Sequence, residues 1–169
     1  MLHRFFSSRP LLLLCSVWLG ICLWCSPARA ESIDPYIRRY LDAAQPVPIK
    51  VDETGETRDF SAIELSKGKQ RFDDGCLYCH IGGSNVPIPP ITLSGENLAG
   101  ATPPRDNLNG FVAFMREPMT YDGDDYSSWC RQVSENWMSR SELEEVAAYV
   151  LRAGEKVSSW GKKVYEVES

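Results

Sequence analysis

The segment Cys76-Leu77-Tyr78-Cys79-His80 is the strongest constraint on what this chain can become. Two thiols three residues apart, with a histidine directly after the second, form the C-x-x-C-H pattern of covalent haem attachment. The spacing follows from the chemistry. Thiols one helical turn apart reach the two vinyl groups of one porphyrin, and the adjoining imidazole then faces the iron. Two other chemistries use similar residues. A thioredoxin-type dithiol belongs in a strand-rich α/β context, and no such pattern precedes Cys76. A Cys3His zinc site from Cys76, Cys79, His80 and Cys130 would require two adjacent residues to meet one tetrahedral ion. The pattern therefore implies one covalent haem c on Cys76 and Cys79, with His80 as the proximal axial ligand.

Residues 1–30 bear on the compartment. Arg4 and Arg9 precede an apolar run from Leu11 to Trp24, and Pro27-Ala28-Arg29-Ala30 closes the stretch. A basic start, a short apolar core and a small-residue ending are the marks of an export signal. The run is 14 residues long, whereas a membrane span needs about 20. The expectation is a cleaved signal over 1–30 and a monohaem domain over 31–169 with no membrane span. Of the 18 basic side chains, three lie in residues 1–30, which hold no acid. The remaining 15 face 23 acidic ones, a formal charge of −8. That balance argues against a nucleic-acid partner and suits a basic protein surface. Cys15, Cys22, Cys25 and His3 leave with the signal, so Cys76, Cys79 and Cys130 remain and His80 is the sole histidine.

Local signals describe a mainly helical domain with long loops. Asp34-Pro35 resembles a helix start with proline in the first turn, and Ile33, Ile37 and Leu41 form a stripe behind it. "VPIKVDETGETRDF", Val47 to Phe60, reads as two short strands around an Asp52 to Gly55 turn. Ser61 with Glu64 is a capping box for a helix through Ile63, Leu65, Gln70 and Phe72 toward Cys76. From Gly82 to Pro104 glycine and proline punctuate the chain, and a loop this long in a small domain usually wraps something. Its Pro87 to Pro90 segment is expected over a haem edge. Asp106 is placed as the cap of a helix carrying Leu108, Phe111, Val112 and Met115, ended by Pro118. A polar loop leads to Cys130. Ser139 with Glu142 forms a second capping box, opening a helix through Leu143, Val146, Ala147, Val150 and Leu151 that Gly154 is expected to stop. The rest reads as a polar tail with Trp160 and Tyr165.

The second face of the iron must be met from a short list. Electron-transfer haems take a further protein donor, most often Met or His, and loss of residues 1–30 leaves no second histidine. Met115, Met119, Met138 and Cys130 remain. Met115 lies on an apolar helix face, where methionine is ordinarily core filler. Met119 opens a loop after a helix-ending proline, and Met138 precedes a helix cap. Cys130 is an unpaired thiol open to oxidation unless something binds it. Residue types alone leave Cys130 and the methionines level.

Longer strings add to this. "LAGATPPRDN" (Leu98 to Asn107) and "FMREPMTYDG" (Phe114 to Gly123), behind C-x-x-C-H, resemble the cytochrome c-550 family. Its members are extrinsic lumenal subunits of cyanobacterial photosystem II. The likeness runs from "VPIKVDETGE" at Val47 to "WGKKVY" ending at Tyr165. Family members carry a distal histidine shortly after Tyr-Asp-Gly, where this chain reads "DDYSSWCRQ". The resemblance therefore implies Cys130 as the distal axial ligand, with Met119 or Met138 as fallback, in a diverged c-550-like paralogue. It implies a mainly α, class I-like cytochrome c domain with long loops and a small N-terminal β-hairpin.

The resemblance also implies a low-potential electron carrier or accessory haem protein of the thylakoid lumen or periplasm, with no catalytic residue. A thiolate donates charge to ferric iron and so lowers the potential. Partners would be the lumenal surface of photosystem II or a soluble redox protein. Two readings compete. One is a sulfur-compound-oxidising haem enzyme, which would use Arg105, Arg116 and Arg131 for anionic substrates; the other is a structural subunit whose haem nucleates folding. Arg131, next to Cys130, is expected to assist its thiolate, and Trp129 to shield the haem.

Overall fold

Asp34 starts the regular structure by accepting a hydrogen bond from the Tyr36 N–H at 2.8 Å, with Pro35 at the first helical position. The computed structural model describes residues 31–86 and 91–162. The expected signal (1–30), the Pro87 to Pro90 segment and Tyr165 lie outside them. The chain divides into residues 1–31 and 32–169, and the second unit holds the elements below.

Six-residue α1 (Pro35–Tyr40) buries Ile37 completely. Strands β1 (Val47–Lys50) and β2 (Thr57–Phe60) pair antiparallel, Val47 opposite Phe60 and Lys50 opposite Thr57. Ser61 and Glu64 close a full capping box on α2 (Ala62–Gly75). Such reciprocal bonds satisfy donors that a helix start otherwise leaves open. A 3-10 turn (Ile81–Gly83) follows, then α3 (Gly95–Ala99), α4 (Leu108–Arg116) and α5 (Arg140–Lys156), the last with its own box from Ser139 and Glu142. The architecture is mainly helical with one small hairpin, as the sequence suggests.

Helices α2 and α5 form the main crossing. A Cβ at Gly68 would collide with the Glu145 carbonyl oxygen, so the backbones approach as closely as they do because residue 68 has no side chain. Arg71 holds the same crossing from the side, bonding Glu142 at 3.0 Å and also Glu145. Ala62, Leu65, Gly68 and Phe72 make the buried stripe of α2. Gln70, expected on that stripe, is exposed and Ile63 only half-buried.

Four local expectations are corrected. The cap of α4 is Asn107, whose side chain accepts from the Gly110 N–H at 2.8 Å; Asp106 instead pairs with Lys50 at 2.9 Å. Helix α5 runs through Gly154 to Lys156. There the helix packs beside Leu93 and Gly95. The long loop contains a helix of its own, α3, capped by Ser94. Trp160, read as part of a polar tail, is buried, and its indole N–H bonds the Leu93 carbonyl at 3.0 Å.

Candidate functional site

Helix α2 delivers the C-x-x-C-H segment. Cys76 is its C-cap, its N–H bonded to the Phe72 carbonyl at 2.8 Å. The N–H groups of Cys79 and His80 both donate to the Cys76 carbonyl, at 3.1 and 3.0 Å. The chain thus makes one further turn, and both thiols and the imidazole line a single cavity of about 370 Å³. Loop bonds hold that turn: Gly83 N–H to the His80 carbonyl, Val86 N–H to the Cys79 carbonyl and Leu93 N–H to the Gly83 carbonyl, at 2.8–3.0 Å.

Behind His80 stands an aromatic block. Phe72 lies 6.4 Å from the imidazole, centroid to centroid, and packs on Tyr149 at 5.4 Å and Trp160 at 5.8 Å. Gly83, at φ 79°, lies against the face of Trp160, a place where any side chain would clash. Burial lowers the His80 pKa, opposed by hydrogen-bond neighbours Asn85 and Ser84. The imidazole Nδ1 and Asn85 Oδ1 are nevertheless both buried without a completed bond. An Nδ1 proton shared with Asn85 would leave Nε2 as the free donor, the arrangement that iron-bound histidines use.

A second wall comes from loops. Cys130 lines the same cavity, with Trp129 and Arg131 beside it. Its approach is pinned by the Ser127 N–H on the Pro118 carbonyl and its exit by the Val133 N–H on the Met115 carbonyl, at 2.8 and 2.9 Å. Arg116 reinforces the exit, donating to the carbonyls of Val133 and Met138 at 2.7 and 2.8 Å. Of the methionines, Met115 lines the cavity; neither Met119 nor Met138 is among the described residues that do. Met119 forms a bridge with Tyr126, and Met138 is buried in the core. The arginine that acts on Cys130 is Arg105, not Arg131. Burial raises the Cys130 pKa and Arg105 pulls it back, whereas Arg131 stacks on Trp137 at 4.5 Å. Burial pushes the Cys76 thiol up to about 11, helped by Cys130 and Cys79, so the three sulfurs share one electrostatic neighbourhood.

The Cytochrome c-550 domain model matches residues 40–167. The chain belongs to the cytochrome c-550 family. It is 55% identical over 130 residues to a cytochrome c-550-like protein of Trichodesmium erythraeum, covering 77% of this chain and 79% of that one. It is 37% identical over 150 residues to photosystem II extrinsic protein V of Gloeobacter violaceus, covering 88% and 81%. Among solved structures it is similar to the PsbV2 cytochrome of Thermosynechococcus elongatus: TM-score 0.75, 44% identity, 77% of this chain and 99% of that one. The c-550-like relatives stand nearer than those named extrinsic protein V.

Haem c is the cofactor of the c-550 family, and the residues present fit it. The cavity wall holds two thiols at the attachment spacing, an imidazole with an orphaned buried Nδ1, and a large apolar share. Among the described residues no three His, Cys, Asp or Glu side chains are grouped to hold a bare metal ion. That disfavours the zinc alternative, which needs four close donors. Asn85 follows the motif in a run of loop residues and carries no distinguishing signal in the sequence. Arg105 stands out there only as one of three available arginines, because it reaches the cavity across the fold.

Proposed function

We propose that this c-550 family member is a low-potential one-electron carrier with haem c on Cys76 and Cys79 and axial ligands His80 and Cys130. The observation that carries the reading is the cavity: it collects both attachment thiols, His80 and Cys130, while among the described methionines only Met115, buried on the apolar face of α4, reaches its lining. Haem c supplies the ferric/ferrous couple. The chain supplies the rest. Cys76 and Cys79 would tether the group, the aromatic block stands behind the imidazole of His80, and the surrounding wall is mainly apolar.

Two protein ligands leave no position for a substrate, which favours outer-sphere electron exchange. Of the arginines that an anionic substrate would need, Arg116 is not among the described residues that line the cavity, and Arg105 and Arg131, which do line it, are held by protein groups. Arg105 bonds the carbonyls of Met119 and Thr120, Arg116 those of Val133 and Met138, and Arg131 stacks on Trp137. Relatives named photosystem II extrinsic protein V support docking on the lumenal surface of that complex, after removal of residues 1–30. Among the described residues no helix is long and apolar enough to cross a membrane.

The test is optical and electrochemical. Purified ferric holoprotein should show thiolate ligation, and Cys130→Ser should abolish that signature and raise the midpoint potential. An unchanged spectrum in Cys130→Ser removes this ligand. Binding to isolated photosystem II particles, titrated against salt, tests the docking.

A further inference from the structure

The cavity lining is mainly apolar, but a polar sector of it is organised around α3. Asn97 of that helix bonds the Thr92 hydroxyl at 3.0 Å. The Leu98 carbonyl accepts the Arg105 backbone N–H at 2.8 Å, and Gly100, the helix C-cap, lies against the Tyr121 hydroxyl. Thr92, Asn97, Arg105 and Tyr121 all line the cavity. Arg105 is the member of this sector whose charge is unanswered. It is only 8% exposed, and no carboxylate meets it among the described residues; neighbouring Asp106 pairs with Lys50 at 2.9 Å. Its guanidinium lies 4.0 Å over the Phe114 ring, and the carbonyls of Met119, at 3.1 Å, and Thr120 both accept from Nη2. Nε and Nη1 have no hydrogen-bond partner among the described residues. The side chain is held in place with most of its donors unspent. A desolvated cation is costly unless an anion answers it, and a guanidinium fork matches a carboxylate.

We propose that Arg105 is the residue that binds a propionate carboxylate of haem c. The inference rests on haem c being attached at Cys76 and Cys79, and it is independent of which residue is the distal ligand. The vinyl groups and the carboxylates of the porphyrin stand on opposite edges of the ring. Attachment at the two thiols therefore turns the carboxylates toward the remaining lining, where Arg105 is the buried cation among the described residues. Arg131, also on the lining, is exposed and lies over the Trp137 ring. Because carbonyls and an aromatic ring already fix the Arg105 fork, pairing with a carboxylate costs it little further freedom.

Holoprotein isotopically labelled at the haem carboxylate carbons tests this, since labelled-minus-unlabelled infrared spectra isolate the two propionates. Arg105→Gln keeps a donor for the Met119 and Thr120 carbonyls and removes the charge; it should shift one labelled carboxylate band and leave the other in place. Arg105→Lys keeps a cation and should shift that band less. Bands unmoved in the glutamine variant overturn the proposal. Equal shifts in the two variants overturn it as well, because a disturbed loop would move both alike. Where Arg105→Gln yields no holoprotein, the unsubstituted protein decides, with nitrogen-labelled arginine added to the labelled haem. Solid-state dipolar coupling between a carboxylate carbon and a guanidinium nitrogen supports the pair, and absence of that coupling overturns it. An unsubstituted protein without covalent haem would remove the attachment reading and this inference together. Covalent haem with neither band shift nor coupling sinks this inference alone.

Discussion

The two walls of the cavity are built from different materials. The His80 wall rests on α2 and α5, crossed at Gly68, with Phe72, Tyr149 and Trp160 interlocked behind the imidazole. The Cys130 wall has no helix of its own between Arg116 and Arg140; backbone bonds and the guanidinium of Arg116 hold it to its neighbours. A packed aromatic block carries stability and tolerates little change. A loop hung on hydrogen bonds can exchange the residue at its tip and keep its path. The first wall therefore belongs to the fold, and the second is where members of a family can diverge in their chemistry.

Phe72→Ala should have the largest effect, because it empties the centre of the aromatic block. A buried phenylalanine truncated to alanine costs about 3–5 kcal/mol. Denaturant unfolding of the holoprotein should show it, with the ferric spectrum of the surviving folded fraction little altered. A loss below about 1 kcal/mol would mean that the haem, not this block, holds the His80 wall. Arg116→Met comes next and reverses the pattern. It leaves the buried carbonyls of Val133 and Met138 short of their donor, a cost of about 1–3 kcal/mol. Because those carbonyls bracket the exit from Cys130, the ferric spectrum should become heterogeneous, a change that Phe72→Ala does not produce. Equal spectral damage from the two variants would erase the distinction between the walls.

The same division governs what could be read in advance. Both capping boxes, the hairpin and the helix into Cys76 were legible, because each is a local device with a fixed spacing. Asp106 and Asn107 are neighbours of equal capping ability, and only the Asp106–Lys50 pair, 56 residues apart in sequence, decides between them. Gly154 stops a helix by local logic, yet here it is packed against Leu93 and Gly95, and packing overrides the local preference. Trp160 and α3 were hidden by polar and glycine-rich surroundings. Arg131 looked like the partner of Cys130 through adjacency, while Arg105 reaches that neighbourhood across the fold. Periodicity and spacing report on helices; they carry little about a wall made of loops.

The junction between the walls yields the smallest effect. Glu142 begins α5 where the Cys130 loop ends, and its carboxyl is held at about 2 against a usual 4.5. The Ser139 N–H and hydroxyl both donate to it at 2.8 Å, and Arg71 of α2 adds a third bond at 3.0 Å. The unfolded chain takes up a proton at this carboxyl sooner than the folded one. Its contribution is therefore complete above pH 4.5 and lost as the pH falls toward 2. Glu142→Gln should make the holoprotein somewhat less stable at pH 7, converge with the parent near pH 2, and flatten the loss of stability between pH 4.5 and 2, followed by unfolding curves at successive pH values. Because Arg71 connects this carboxyl to the helix that ends in Cys76, the acid transition seen at the His80 wall and at the Cys130 wall should shift together. Separate transitions in the two, one flattened and one not, would show that the junction transmits nothing and that the loop wall unfolds on its own account.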